Sequence, residues 1–130
     1  MVLTYIDSSV ALAHLFAESR FPRENFWDRE LTSSRLLEYE VWNRIHARGG
    51  RVATSANAQA LLSGIELLEM TGRTLERALR PFPLAVRTLD SLHLATIEFL
   101  RERGDSVELA SYDNRLIAAA RALGVPLAAL

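Results

Sequence analysis

Cysteine and lysine are both absent from the 130 residues. The first absence removes disulfides, thiolate metal sites and thiol nucleophiles together, and leaves carboxylates and three histidines as possible metal ligands. A metal held by this chain is therefore expected to be a hard cation bound through oxygen, not zinc or copper. The second absence makes all 15 basic residues arginine. Arginine suits bidentate phosphate recognition, and codon bias in a GC-rich genome explains the same usage equally well. An excess of charge is lacking too: the formal net charge of -1 gives no global attraction to nucleic acid, although a local arginine patch would supply one. No apolar run reaches the roughly 18 residues that span a bilayer. Met1-Val2-Leu3 lacks the basic region and cleavage pattern of a signal peptide, so the expected location is cytoplasmic.

What is present points to an ordinary folded domain. Hydrophobic residues make up 49% and charged residues 24%, and a length of 130 predicts one domain over residues 1–130. Residues 2–6 are β-branched and aromatic without strict alternation, as in a strand buried on both faces of a parallel sheet. This run stops at Asp7-Ser8-Ser9, where Ser8 or Ser9 is expected to cap a helix over residues 10–17. Arg20-Phe21-Pro22-Arg23 breaks that helix. A second strand is predicted near residues 30–33, with Ser33 or Ser34 capping a helix over residues 35–48 that ends at Gly49-Gly50.

Further helices are predicted over residues 55–64 and from Thr71 or Thr74 to Arg80, with a short strand near residues 65–70 between them. Thr88 is a good N-cap for a largely buried helix reaching Arg103, with Gly104 beyond its end. A strand over residues 107–110, an alanine-rich helix over residues 114–123 closed by Gly124, and a last strand over residues 125–128 complete the chain. Strands alternating with helices predict a three-layer α/β fold, a mostly parallel twisted sheet of about five short strands flanked by helices.

In open α/β sheets ligand sites form outside the carboxyl ends of the strands, which is where Asp7 and Asp113 fall. Each is also a good helix N-cap. Asp90 lies in the first turn of an apolar helix, where an idle carboxylate would be costly to desolvate. Converging carboxylates repel unless a cation holds them, and a cation so held activates water and clamps a phosphate. In the helix from residue 35, Glu38 and Glu40 both lie beside apolar neighbours on the helical wheel, and periodicity does not choose between them. His93, three residues after Asp90, is expected to be a core histidine satisfied by local backbone. Arginines 73 through 87 are expected to form a solvated, ion-paired helix face.

Four segments carry a family resemblance: Tyr5-Ile6-Asp7-Ser8-Ser9; Thr32-Ser33-Ser34-Arg35-Leu36 followed by Glu40; Leu89-Asp90-Ser91-Leu92-His93-Leu94-Ala95-Thr96; and Ser111-Tyr112-Asp113-Asn114-Arg115-Leu116. In this order the chain resembles the PIN-domain ribonucleases, most closely the VapC-type toxins of toxin–antitoxin pairs. The resemblance implies a PIN-like fold with an acidic site of Asp7, Glu40, Asp90 and Asp113, and it selects Glu40 over Glu38. Asp7, Asp90 and Asp113 would hold Mg²⁺ or Mn²⁺ while Glu40 helps orient metal or water. It further implies a homodimer, an RNA substrate and inhibition by a small VapB-type antitoxin. Ser111 stands where threonine is common, and its hydroxyl is expected to reach the site. Two rival readings are a receiver-like phosphoacceptor domain, whose strand-end lysine is absent here, and a catalytically inert PIN-like binding domain.

Overall fold

Four parallel strands, β1 (Val2–Ile6), β2 (Leu31–Ser34), β3 (Glu66–Leu68) and β4 (Ser106–Ala110), form one sheet in the order β3-β2-β1-β4. The computed structural model describes residues 1–130. Around the sheet lie α1 (Ser8–Leu15), α2 (Leu36–Ala47), α3 (Val52–Ser63), α4 (Gly72–Ala78), α5 (Thr88–Glu102) and α6 (Asn114–Ala122). A 3₁₀ turn spans Glu24–Asp28. No helix is long and apolar enough to cross a membrane.

Strand β1 carries apolar side chains to both faces because it is covered on both. On one face Ile6 packs with Val10 and Ala11 of α1, Leu37, Val41 and Ile45 of α2, and Ala58 and Leu62 of α3. On the other, Leu3 and Tyr5 pack with Leu94, Ile97 and Leu100 of α5 and with Leu116, Ala119 and Ala120 of α6. Two helical layers thus enclose the sheet, as the alternating elements predict. The turn after α2 requires left-handed backbone at Gly49 (φ +96°) and Gly50 (φ +60°), which glycine adopts without a Cβ penalty.

The sheet has four strands where about five were expected. Residues 125–128 make only an isolated parallel bridge at Leu127 opposite Leu109, with Leu109 N–H donating to Pro126 O and Ala128 N–H to Leu109 O, each at 2.8 Å. Pro126 has no N–H with which to extend the ladder.

The caps also differ from expectation. Helix α1 begins at Ser8, so Asp7 occupies the N-cap position, although its side chain makes no capping bond. Helix α5 begins at Thr88 itself, with Arg87 at the cap position and no side-chain cap. Ser34 does serve the start of α2, where its Oγ accepts from the Leu36 N–H at 3.1 Å.

Candidate functional site

Because all four strands run the same way, their carboxyl ends share one edge. The β1–β4 register pairs Ile6 with Ala110, so the next residues, Asp7 and Ser111, emerge side by side. Ser111 Oγ donates to Asp7 Oδ2 at 3.0 Å and Ser9 Oγ donates to Asp7 Oδ1 at 2.6 Å. Those hydroxyls are themselves fixed, since Ser9 Oγ accepts from the Tyr112 N–H at 2.8 Å and Ser111 Oγ from the Asp113 N–H at 2.9 Å. Asp7 is only 5% exposed. Burial pushes its carboxyl up to about 6, with the charge of Glu40 adding to the rise and the two serine hydrogen bonds opposing it.

Glu40 reaches the same edge from α2. Its Oε2 accepts from Ser8 Oγ at 3.1 Å and its Oε1 lies 2.6 Å from His93 Nε2. Glu38 turns to the other side and pairs with Arg35 at 3.4 Å. The ambiguity on the helical wheel is thereby removed as a matter of placement: Glu40 shares the edge with Asp7, and Glu38 does not.

His93 is buried, but local backbone does not satisfy it as expected. Its Nδ1 lies 2.7 Å from the Tyr5 hydroxyl, and that oxygen accepts from the Ser34 N–H at 3.1 Å. Burial raises the Tyr5 phenol well above its ordinary range, so it keeps its proton. His93 thus bridges the Tyr5 hydroxyl and the Glu40 carboxylate, one ring nitrogen to each.

Asp90 occupies the first turn of α5 and is buried. Burial raises its carboxyl, the charge of Asp113 adds to the rise, and the Arg87 backbone opposes it. Asp113 caps α6: its Oδ1 accepts from the N–H groups of Arg115 at 2.9 Å and Leu116 at 3.4 Å. Both bonds fall on one oxygen, so the capping role leaves Oδ2 outside the cap.

The four acids thus interact as pairs, Asp7 with Glu40 and Asp90 with Asp113. The donors are carboxylate and hydroxyl oxygens, the chemistry of a hard divalent cation, and like-charge repulsion within each pair is what such a cation relieves. In donor type and charge the residues fit Mg²⁺ or Mn²⁺. As they stand, however, no three His, Asp or Glu side chains come close enough together to hold an ion.

Elsewhere, His14 lies against Trp27 and His46 stacks on Trp42, each contact an aromatic one. Arg73 pairs with Glu102 at 2.9 Å and Arg77 with Glu98 at 2.5 Å, the ion-paired face expected of that segment. Sequence reasoning missed Tyr5 as a partner of His93 and Ser8 and Ser9 as donors to carboxylates. Only the hydroxyls beside Asp7 and Asp113 hinted at it.

Comparison with known proteins places the chain in a family. The PIN domain family model matches residues 4–127. The chain is 36% identical over 132 residues to Ribonuclease VapC46 of Mycobacterium tuberculosis, covering 99% of this chain and 98% of that protein. It is 26% identical over 129 residues to Ribonuclease VapC47 of the same species, covering 94% and 93%. A solved toxin-antitoxin complex from Klebsiella pneumoniae superposes with a TM-score of 0.65 over 92% of this chain and 93% of that one. At 16% identity that likeness speaks for the fold alone. With its parallel sheet between two helical layers and a family match that runs almost from end to end, the chain belongs to the PIN-domain family and is of the VapC type.

Proposed function

We propose that the chain is a metal-dependent endoribonuclease, the toxin of a toxin–antitoxin pair, that hydrolyses phosphodiester bonds in cellular RNA. The observation that carries this reading is the full-length match to two proteins named as VapC ribonucleases; the pairs Asp7 with Glu40 and Asp90 with Asp113 support it. Asp7, Asp90 and Asp113 would hold the cation. When bound, Mg²⁺ or Mn²⁺ supplies neutralisation of the carboxylates, a lowered water pKa and a clamp on the phosphate. Glu40, fixed by Ser8 and His93, orients the attacking water by accepting a hydrogen bond from it. Ser9 and Ser111 keep the Asp7 carboxylate aimed along the edge.

The partners of this reading are an RNA substrate, a second copy of the chain and a small VapB-type antitoxin. The test is cleavage of labelled RNA by purified protein with Mg²⁺ or Mn²⁺, abolished by EDTA and restored by added cation. Cleavage that survives EDTA unchanged would remove the metal from the mechanism, and no cleavage under any divalent cation would remove the activity. Expression of the chain alone should arrest growth, and co-expression of a short neighbouring reading frame should relieve it. Harmless expression counts against the toxin role.

A further inference from the structure

The structure assigns to Tyr5 and His93 a positioning role: a buried Ser34 N–H, Tyr5 hydroxyl and His93 imidazole form a chain that aims the carboxylate of Glu40. This rests on the reading of Glu40 as a working member of the acidic site. The chain of bonds is continuous, with Ser34 N–H donating to Tyr5 Oη at 3.1 Å, Tyr5 Oη 2.7 Å from His93 Nδ1, and His93 Nε2 2.6 Å from Glu40 Oε1. Tyr5 is 0% and His93 2% exposed, so the bond between them is shielded from water, while the Glu40 side chain is 19% exposed at the open end of the chain.

The positioning role gives each bond a direction. The Ser34 N–H occupies one lone pair of the Tyr5 oxygen; in the proposed chain the phenolic proton goes to Nδ1 and the imidazole proton on Nε2 faces Glu40. The rings meet edge to face, with centroids 5.7 Å apart and planes at 78°, so the histidine cannot turn without losing the phenol. Ser8 Oγ on Oε2 completes a two-point grip on Glu40. A glutamate on a helix has three side-chain torsions, and holding both oxygens removes the freedom that would otherwise let it swing into solvent. Three separate elements meet in this grip: Tyr5 from β1, His93 from α5 and Glu40 from α2.

The test separates positioning from packing. Gln places an N–H near the position of Nε2 and Asn places its amide near Nδ1. His93→Asn should therefore lower kcat on RNA by about 10- to 100-fold with KM nearly unchanged, as for other residues that orient a functional carboxylate. His93→Gln should recover most of that loss. Tyr5→Phe, which touches no part of Glu40, should lower kcat in the wild-type background and change it less than about twofold in the His93→Gln background. Equal losses in the Asn and Gln variants, or additive effects of Tyr5→Phe in both backgrounds, would overturn the assignment.

Ring ¹⁵N spectra of the wild-type protein provide a readout independent of cleavage and of every variant's folding. They should show His93 protonated at Nε2 and bare at Nδ1, and either the opposite tautomer or a doubly protonated ring overturns the proposal. A wild-type protein that cleaves no RNA but shows the Nε2 tautomer would defeat the ribonuclease reading while leaving this hydrogen-bond chain in place.

Discussion

Asp7 and Glu40 are gripped by side chains, three serine hydroxyls and a histidine, whereas Asp90 and Asp113 rest on the first turns of two helices. The difference is in how each pair is held. Hydroxyls rotate, so Ser9 and Ser111 remain bonded to Asp7 whether it is ionised or protonated. Backbone N–H groups only donate, so the cap on Asp113 fixes one of its oxygens from the helix end, and the Asp113 charge beside Asp90 raises the Asp90 carboxyl. The fold itself organises the first pair. The second pair carries a repulsion that something positive must relieve.

The largest expected effect tests whether the two pairs work together. Asp7→Asn and Asp90→Asn should each reduce RNA cleavage to background while circular dichroism stays that of the wild type. Full activity in either purified variant would show that its half of the edge is not part of the site. Stability should move the other way in Asp7→Asn, because the amide has no charge to desolvate and can still bond both serine hydroxyls.

Next in size is stabilisation by cation. If Asp7, Asp90 and Asp113 share an ion, Mg²⁺ at about 100 times its dissociation constant should raise the unfolding free energy by roughly 2.7 kcal/mol, seen as a higher Tm. The rise should vanish in Asp90→Asn. A Tm indifferent to Mg²⁺ in the wild type would mean that the repelling pair is tolerated without an ion, and the contrast between the two halves would lose its functional meaning.

Smaller is the pH dependence of stability in EDTA. Asp7 has a folded-state carboxyl at about 6, above its ordinary 3.8, so the folded state binds the proton more tightly than the unfolded chain does. The penalty for keeping Asp7 ionised is fully present above pH 6 and is relieved as the pH falls through that value. Between pH 8 and pH 5 the relief amounts to about 1 kcal/mol, a Tm rise of a few degrees for a domain of this size. Asp7→Asn should remove that increment relative to wild type. An identical pH profile in the two proteins would show that the serine hydroxyls offset burial completely.

The contrast between the halves also explains what was legible in the sequence. Asp113 reads correctly as a cap because capping is local: donor and acceptor lie two and three residues apart. Strands β1 and β4 are legible for a similar reason, as apolar runs that stop at polar residues. Ser8 and Ser9 read equally well as caps, and that expectation fails because a remote carboxylate claims Ser8 and a remote backbone N–H helps fix Ser9 on Asp7. Glu40 is 32 residues from Ser8, and Tyr112 is 103 from Ser9. Likewise Tyr5 and His93 are 88 residues apart, and no periodicity links them. Helix α3 begins at Val52, three residues before its expected start, because Val52 is 86% exposed and carries no amphipathic signal. Glu38 and Glu40 differ only in which face of α2 meets β1 and α5, a fact of packing that a helical wheel does not contain.

The smallest expected change in stability separates the two roles of Asp113. Serine and aspartate cap helices about equally well, so Asp113→Ser should keep the bond to the Arg115 N–H and alter stability by no more than about 0.5 kcal/mol. Asp113→Ala removes the cap and should cost about 1 kcal/mol, read as a lower midpoint in urea. If Oδ2 serves the acidic site, both variants should lose cleavage to a similar extent despite their different stabilities. If the residue only caps α6, Asp113→Ser should cleave RNA like the wild type. In that case Asp90 would stand without an acidic partner for the ion, and the second half of the edge would reduce to a single carboxylate.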